Sequence, residues 1–249
     1  SYKEGARVAP GETLAVVDHA TLDIQLRQAE AGIRLAESQL ALLVEGARRE
    51  DIRQAEAALE SARETLANGL HCQPKEVIFT SCGSESDNLA LRGAAFAARK
   101  QRNARHILIS PVEHHAVTRT AQQLASQHGF ELEFLPVDEY GRVTAEAMAS
   151  RLRPDTALVS VIYANNEIGT INPISEIGEV CRARSIPFHS DAVQAAGYLS
   201  VDVDVLQVDL LSLGAHKFYG PKGVGALYVR QGTPITPAQT GGSQEFGLR

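Results

Sequence analysis

The fold is decided by one stretch of the sequence, Ser212-Leu213-Gly214-Ala215-His216-Lys217-Phe218-Tyr219-Gly220-Pro221-Lys222-Gly223-Val224-Gly225. It overlaps the end of an apolar run, from Val208 to Leu213, that predicts a buried strand. Lys217 follows this strand end, among glycines that let a ligand approach the backbone closely. A lysine desolvated in such a place can lose its proton and form a Schiff base with a carbonyl compound. The alternative is an ordinary surface lysine in a glycine-rich turn, since most lysines are solvated.

Upstream of Lys217 the sequence alternates between short apolar runs and helical patterns. Such alternation with short loops predicts an α/β fold whose sheet is mostly parallel and covered by helices. Ligands of such sheets bind at the carboxyl ends of the strands, and the polar motifs of this chain follow the predicted strands. We expect strands at 77–80, 106–110, 132–136, 157–163, 187–189, 208–213 and 225–229, and helices at 84–100, 117–128, 144–152 and 174–184.

An anion site is predicted where the first of these strands ends. The sequence Phe79-Thr80-Ser81-Cys82-Gly83-Ser84-Glu85-Ser86-Asp87-Asn88 combines a strand end, a turn of small residues and a helix start. Free backbone N–H groups and the helix dipole attract an anion at such a place, and Ser84 adds a hydroxyl donor. The alternative is an ordinary helix cap, in which Ser84 and Asp87 form a capping-box-like pair without any ligand.

Polar residues also follow later strands. His114 could lie flat against an aromatic ring or move a proton, and Asn166 could donate a hydrogen bond to a phenolate oxygen. An ordinary Asn-Gly turn is the alternative for Asn166. The neighbouring His115 is a weak indication of a metal. Because adjacent side chains of an extended segment point to opposite faces, we expect no metal site.

Asp191 ends another apolar strand, one crossover before Lys217. A partly buried carboxylate in this place needs a cationic or N–H partner. The protonated ring nitrogen of pyridoxal phosphate (PLP) would be such a partner, and its protonation makes PLP an electron sink. A Schiff-base lysine and a carboxylate for the ring nitrogen together predict PLP as the cofactor.

Residues from about 60 to 249 resemble cysteine desulfurases, which are PLP-dependent enzymes of the class V aminotransferase fold. The wording of residues 79–87 is most similar to the nitrogen-fixation type. The resemblance implies an aspartate-aminotransferase-like large domain over residues 58–249. The motifs that carry it occur in this order: Ser81 to Asn88, Glu113-His114, Asn165-Asn166-Glu167-Ile168-Gly169, Asp191 with Gln194, His216-Lys217, Gly220-Pro221-Lys222-Gly223 and Gly241-Gly242-Ser243-Gln244-Glu245.

This resemblance implies a role for each residue that matches a family motif. Lys217 would form the Schiff base, His114 would stack on the ring and handle protons, and Asp191 would pair with the pyridine nitrogen. The remaining cofactor-binding positions are Asn166 and Gln194 for the phenolate side, and Gly83, Ser84 and His216 for the phosphate.

The implied reaction removes sulfur from L-cysteine and leaves alanine and an enzyme persulfide for iron–sulfur cluster assembly. The implied partners are sulfur-accepting scaffold proteins and a second copy of the chain. Two departures from the family stand out. Gly214 lies where the family usually has a Ser or Thr that binds phosphate. The family's nucleophilic cysteine loop and small C-terminal domain would fall beyond Arg249, so we expect a chain that is incomplete for turnover.

Residues 1–57 follow a different pattern. Apolar residues recur at heptad spacing from Leu22 to Leu43 and from Ile52 to Leu66, with a polar turn around Gly46 between them. Matching heptads predict an antiparallel coiled-coil hairpin, and an ordinary pair of core helices is the alternative. With the lipoyl-like half-motif from Tyr2 to Asp18, the hairpin is similar to bacterial periplasmic adaptor (membrane-fusion) proteins. The rival functions are therefore a non-enzymatic transport adaptor and a chimeric gene product.

Composition limits the remaining classes of function. Of the 249 residues, 44% are hydrophobic and 22% charged, as in globular proteins, and the net charge of -6 disfavours nucleic-acid binding. No apolar run approaches the ~20 residues that a membrane span needs. Cys72, Cys82 and Cys181 are widely spaced and odd in number, which predicts a reducing compartment. We therefore expect a cytoplasmic protein. The adaptor-like part alone would suggest the periplasm, but no signal peptide is visible.

Overall fold

The computed structural model describes residues 3–13, 20–46 and 48–249. Its internal contacts divide the chain into two units, Ser1–Ala58 and Leu59–Arg249. The first unit holds helix α1 (Ala20–Glu45) and the start of helix α2 (Arg49–Leu70). Gly46, between the two helices, has a φ of +76°, a left-handed conformation that commonly ends a helix and favours glycine.

The heptad positions of α1 are open to solvent. Leu26, Ile33 and Leu40 are each 59–60% exposed. An antiparallel coiled coil would bury these side chains against a facing helix. Their exposure does not support the coiled-coil pairing, which stays a prediction. Several positions named in the sequence analysis lie outside the described residues: the side chains of Leu22 and Leu43, and Tyr2 and residues 14–18 of the lipoyl-like half-motif.

The second unit is built on one seven-stranded sheet. Its strands are β1 (Val77–Thr80), β2 (His106–Ile109), β3 (Glu131–Phe134), β4 (Thr156–Ser160), β5 (Phe188–Asp191), β6 (Leu210–Gly214) and β7 (Gly225–Val229). They lie in the order β1-β7-β6-β5-β4-β2-β3. Strands from β6 to β3 are parallel, whereas β7 is antiparallel to both β6 and β1. The predicted α/β fold with a mostly parallel sheet is confirmed.

Helices cover both faces of this sheet, because alternate side chains of the strands point into different cores. One core contains Ile107 and Ile109 of β2 and a row of alanines on the helix after β1. The other contains Leu108 of β2 and the large side chains Phe188 and Tyr228. Besides the second half of α2, the helices of this unit are α3 (Gly83–Arg102), α4 (His115–His128), α5 (Ala145–Ala149), α6 (Ile174–Ala183), α7 (Val203–Leu206) and α8 (Gln244–Gly247).

The observed elements differ from the predicted ones mainly at their ends. β4 ends at Ser160 rather than at residue 163, although the N–H groups of Val161 and Tyr163 still donate to the carbonyl oxygens of His189 and Asp191 in β5. β5 continues to Asp191, two residues beyond its predicted end, because it pairs with β6 on its other side. Over the described ranges, no helix is long and apolar enough to cross a membrane.

Candidate cofactor site

A cavity of about 210 Å³ opens where β1, β2, β4, β5 and β6 reach their carboxyl ends. Every residue that the sequence analysis assigned to the cofactor lines this cavity. The lining residues are Cys82, Gly83, Ser84, Asp87, His114, Ile162, Asn166, Asp191, Val193, Gln194, His216 and Lys217.

The start of α3 forms one wall of the cavity. Cys82 is the N-cap residue and its side chain makes no cap hydrogen bond, while Gly83 is the first helical residue. Ser84 therefore lies inside the first turn, and its interpretation as the capping residue of a Ser84–Asp87 box is wrong. The first turn of a 20-residue helix is left without a side-chain cap among the described residues, which favours an anion there.

Two glycines bring backbone close together at this wall. A Cβ on Gly83 would lie 2.5 Å from Cγ2 of Val193, and a Cβ on Gly214 would lie 3.1 Å from Cγ1 of Val193. The Cβ position of Gly214 is also 3.6 Å from the backbone nitrogen of Gly83. The absence of both side chains therefore lets Val193 and the end of β6 pack closely against the start of α3.

Lys217 ends a 3-10 turn, Ala215–Lys217, directly after β6. Its side chain is exposed at the mouth of the cavity, as is that of His216. The desolvated lysine that the sequence suggested is thus not present here, because the turn carries Lys217 out of the sheet. Its positive charge nevertheless acts on Asp191 and His114.

Asp191 is the last residue of β5 and is only 4% exposed. Its Oδ1 accepts a hydrogen bond from the N–H of Val193 at 2.8 Å. Burial raises the pKa of Asp191 to about 6, although this hydrogen bond and the charge of Lys217 act in the opposite direction. A cation delivered into the cavity would therefore favour the ionised carboxylate.

Two further acids, Asp87 and Glu113, interact electrostatically with Asp191, and neither was predicted to have a role at this site. Of the two, Asp87 lines the cavity. Asp87 is 1% exposed, and burial, followed by the charge of Asp191, raises its pKa well above the usual range. Glu113 accepts a hydrogen bond from the N–H of Ile162 at 2.6 Å, and burial raises its pKa to about 8. Asp87 Oδ1 and Glu113 Oε2 have no hydrogen-bond partner among the described residues. The available sequence signal for Glu113 was its position directly before His114.

His189 of β5 connects this acidic region to the neighbouring strands. Its Nδ1 lies 2.8 Å from Oγ of Ser160, and its Nε2 lies 2.9 Å from Oγ of Ser212. Nε2 is also 3.6 Å from Oδ1 of Asp87. Burial lowers the pKa of His189 to about 3, so the ring is neutral at physiological pH.

His114 caps α4, since its Nδ1 accepts a hydrogen bond from the N–H of Ala116 at 3.2 Å. Burial lowers the pKa of His114, and the charges of His115 and Lys217 lower it further. An accepting Nδ1 places the proton of the neutral ring on Nε2. The expected absence of a metal stays a prediction.

The turn after β4 is organised by Asn165, whose Oδ1 accepts hydrogen bonds from the N–H groups of Glu167 and Ile168. The turn-forming role considered for Asn166 thus belongs to its neighbour. Asn166 itself lines the cavity.

The fold is that of the PLP-dependent transferases, which the comparisons with known proteins define further. The aminotransferase class-V model matches residues 44–247, and the chain belongs to this family. It is similar to "Cysteine desulfurase IscS" of Clostridium botulinum (strain Kyoto / Type A2), with 51% identity over 192 residues, 77% of this chain and 48% of that protein. It is also similar to "Cysteine desulfurase, mitochondrial" of Eremothecium gossypii, with 46% identity over 77% of this chain and 39% of that protein.

Among solved structures, "SspA in complex with cysteine" superimposes with a TM-score of 0.77 at 41% identity, covering 82% of this chain and 58% of that one. The chain spans about half the length of the curated relatives it matches. Members of this family that resemble it use PLP, which confirms the cofactor predicted from Lys217 and Asp191.

Proposed function

We propose that this chain is the PLP-binding part of a cysteine desulfurase, an enzyme that removes sulfur from L-cysteine. The observation that carries the proposal is the meeting of Lys217, Asp191 and His114 at one cavity beside the N-terminus of α3. The similarity to curated cysteine desulfurases supports the reaction, and the similarity to a protein solved with cysteine supports the substrate.

The residues around the cavity fit PLP in the charged and hydrogen-bonding groups that they offer. The N-terminus of α3, Ser84 and His216 would hold the phosphate, because backbone N–H groups and a hydroxyl donate to its oxygens. Asp191 would accept the proton of the ring nitrogen. Asn166 and Gln194 would contact the phenolate side.

Lys217 and His114 would act on the substrate side. Lys217 would hold the cofactor covalently through its amine, and the same amine is a base for the proton on the α-carbon of the substrate. His114, with its proton on Nε2, would lie against the ring and can pass that proton on. When bound, PLP would supply the electron sink that stabilises the deprotonated substrate.

Sulfur transfer also needs a reactive thiolate. Cys72 is unsuited, since burial raises its pKa to about 12, and Cys181 is fully buried. Cys82 lies in the turn that we assign to the phosphate. We therefore assign the sulfur-accepting role to none of these three residues.

As partners we propose a second copy of the chain and a protein that accepts sulfur for iron–sulfur cluster assembly, both of which follow from the family resemblance. The three free cysteines are consistent with a reducing compartment such as the cytoplasm. The rival function of a transport adaptor has support from the heptads of the first helices. An adaptor function, however, does not explain why Lys217, Asp191 and His114 meet at one cavity.

The experiment that tests the proposal titrates PLP into the purified chain and then adds L-cysteine, with L-serine as the matched amino acid that lacks only the sulfur. Bound PLP should give a visible absorbance band that L-cysteine changes. A folded chain without such a band in excess PLP would overturn the proposed function, and an equal response to both amino acids would overturn the choice of substrate.

A further inference from the structure

The buried end of the cavity contains a pair of acids. Side-chain oxygens of Asp87 and Asp191 lie within 4.8 Å of each other, in a group that also includes a ring nitrogen of His114. Both aspartates are buried, and Oδ1 of Asp87 has no hydrogen-bond partner among the described residues. Two buried carboxylates at this separation repel each other when both are charged. They therefore do not both ionise unless a cation balances their charge.

Among the residues that the structure describes, the groups that face Asp87 do not supply such a cation. Asp191, Glu113 and Cys82 are acids and add negative charge when they ionise. His189 lies 3.6 Å away but is held between Ser160 and Ser212 as a neutral ring. Lys217 acts on Asp191 from the exposed mouth of the cavity. With no cationic side chain of the described residues beside Asp87, a proton balances the charge of the pair.

We propose that Asp87 is a positioning residue that shares one proton with Asp191, so that the buried end of the cavity presents a single negative charge to the ring nitrogen of PLP. This inference rests on the proposed binding of PLP. When a protonated ring pairs with Asp191, the shared proton stays on Asp87. The Asp87→Asn variant would imitate the protonated acid but has no acidic proton to release at higher pH.

Infrared spectroscopy of the cofactor-free chain tests this proton directly. Because Glu113 is a second protonated acid, the comparison is made in a Glu113→Gln background, where Gln keeps an oxygen for the N–H of Ile162. At neutral pH the Glu113→Gln protein should show the carbonyl band of a protonated carboxyl, and Glu113→Gln/Asp87→Asn should lose it. Circular dichroism checks that both variants fold. Absence of the band in Glu113→Gln, or its persistence in the double variant, overturns the proposal whether or not PLP binds.

A second measurement compares the affinity for PLP with that for its 1-deaza analogue, which has a carbon in place of the ring nitrogen. In the unmodified chain, the preference for PLP should rise over the pH range in which the infrared band disappears, because Asp87 then adds a second negative charge. In Asp87→Asn the preference should match the unmodified chain at neutral pH and should not rise. If Asp87→Asn instead had a preference for PLP about tenfold or more lower than that of the unmodified chain at neutral pH, Asp87 would already be ionised in the unmodified chain. That result would overturn the proposal. A rise that Asp87→Asn retains would overturn it as well.

The two measurements separate this inference from the proposed function. A chain that binds neither PLP nor the analogue contradicts the proposed function, and the infrared comparison then still decides whether Asp87 and Asp191 share a proton.

Discussion

Arg63 and Glu245, which lie near opposite ends of the second unit in sequence, form a bidentate ion pair. Nη1 of Arg63 lies 3.0 Å from Oε2 of Glu245, and Nη2 lies 3.0 Å from Oε1. The same arginine donates to the carbonyl of Val77, and Oε2 of Glu245 accepts from the N–H of Phe79 at 2.8 Å. The pair therefore ties α2 and β1 to the segment around residue 245.

Replacing Arg63 with Met should lower the free energy of unfolding by about 3–5 kcal/mol, because it leaves a largely buried carboxylate without its partner. The double variant Arg63→Met/Glu245→Gln should cost less than the sum of the two single changes. Urea denaturation of the four proteins measures both effects. Single losses below about 1 kcal/mol would instead indicate a pair that behaves like an exposed one.

Lys217→Ala should abolish the visible absorbance band of the bound cofactor, because the covalent link to PLP needs the ε-amine. Lys222→Ala is the matched control, since Lys222 lies in the same glycine-rich segment and does not line the cavity. A band that survives in Lys217→Ala, or that Lys222→Ala also loses, would contradict the assignment of Lys217.

Gly214→Ser should strengthen the binding of PLP only when the new side chain has room. A hydrogen bond to a charged phosphate contributes roughly 1.5–3 kcal/mol, which corresponds to about tenfold in affinity or more. Because a Cβ at this position would lie 3.1 Å from Val193, the gain should be clearest in a Val193→Ala background. Comparing Gly214→Ser/Val193→Ala with Gly214→Ala/Val193→Ala separates the effect of the hydroxyl group on PLP affinity from the effect of the added Cβ. Equal affinities of the Ser and Ala variants would show that the existing donors already saturate the phosphate.

Glu113 should make the chain less stable as the pH rises. Its pKa in the folded chain is raised to about 8, whereas an unfolded chain ionises glutamate near the usual 4.5. Between these values the unfolded state has released a proton that the folded state still holds. The free energy of unfolding should therefore fall by up to about 1.4 kcal/mol per pH unit, relative to Glu113→Gln. The free energies of unfolding of the two proteins, measured by denaturation at a series of pH values, should diverge from about pH 4.5 and change in parallel above about pH 8. Parallel curves throughout would exclude this raised pKa.

The 249-residue chain should release no sulfide catalytically from L-cysteine. Activation of the α-carbon needs Lys217 and His114, which meet at the cavity, but none of the three cysteines is both reactive and free of another role there. The measurement is a sulfide assay with PLP and a reductant, with Lys217→Ala as the blank. Repeated turnovers that depend on Lys217 and disappear when Cys72, Cys82 or Cys181 is replaced would prove the prediction wrong and identify the nucleophile.

The sequence predicted where the cavity would form because its lining follows from strand order. Once short apolar runs are placed in a parallel sheet, residues after each run, such as Gly83, Asp191 and Lys217, must meet at one edge. Burial is harder to predict, since it depends on contacts between distant segments. Asp87 has the sequence context of a capping box, yet it is buried beside His189 and Asp191 of β5. Lys217 has the context of a desolvated amine, yet its turn leaves it exposed.

The position of β7 in the sheet also determines when, during synthesis of the chain, β1 can pair with the sheet. β1 is joined to the sheet only through its antiparallel neighbour β7, with Val77 opposite Tyr228, as far as the described strands show. A Cβ on Gly225 would lie 2.6 Å from the backbone carbon of Cys82, so β7 also abuts the turn that opens α3. During synthesis the first strand must therefore wait, unpaired, until β7 has left the ribosome. Cofactor loading should therefore follow the synthesis of β7, and nascent chains arrested before residue 225 should take up no PLP.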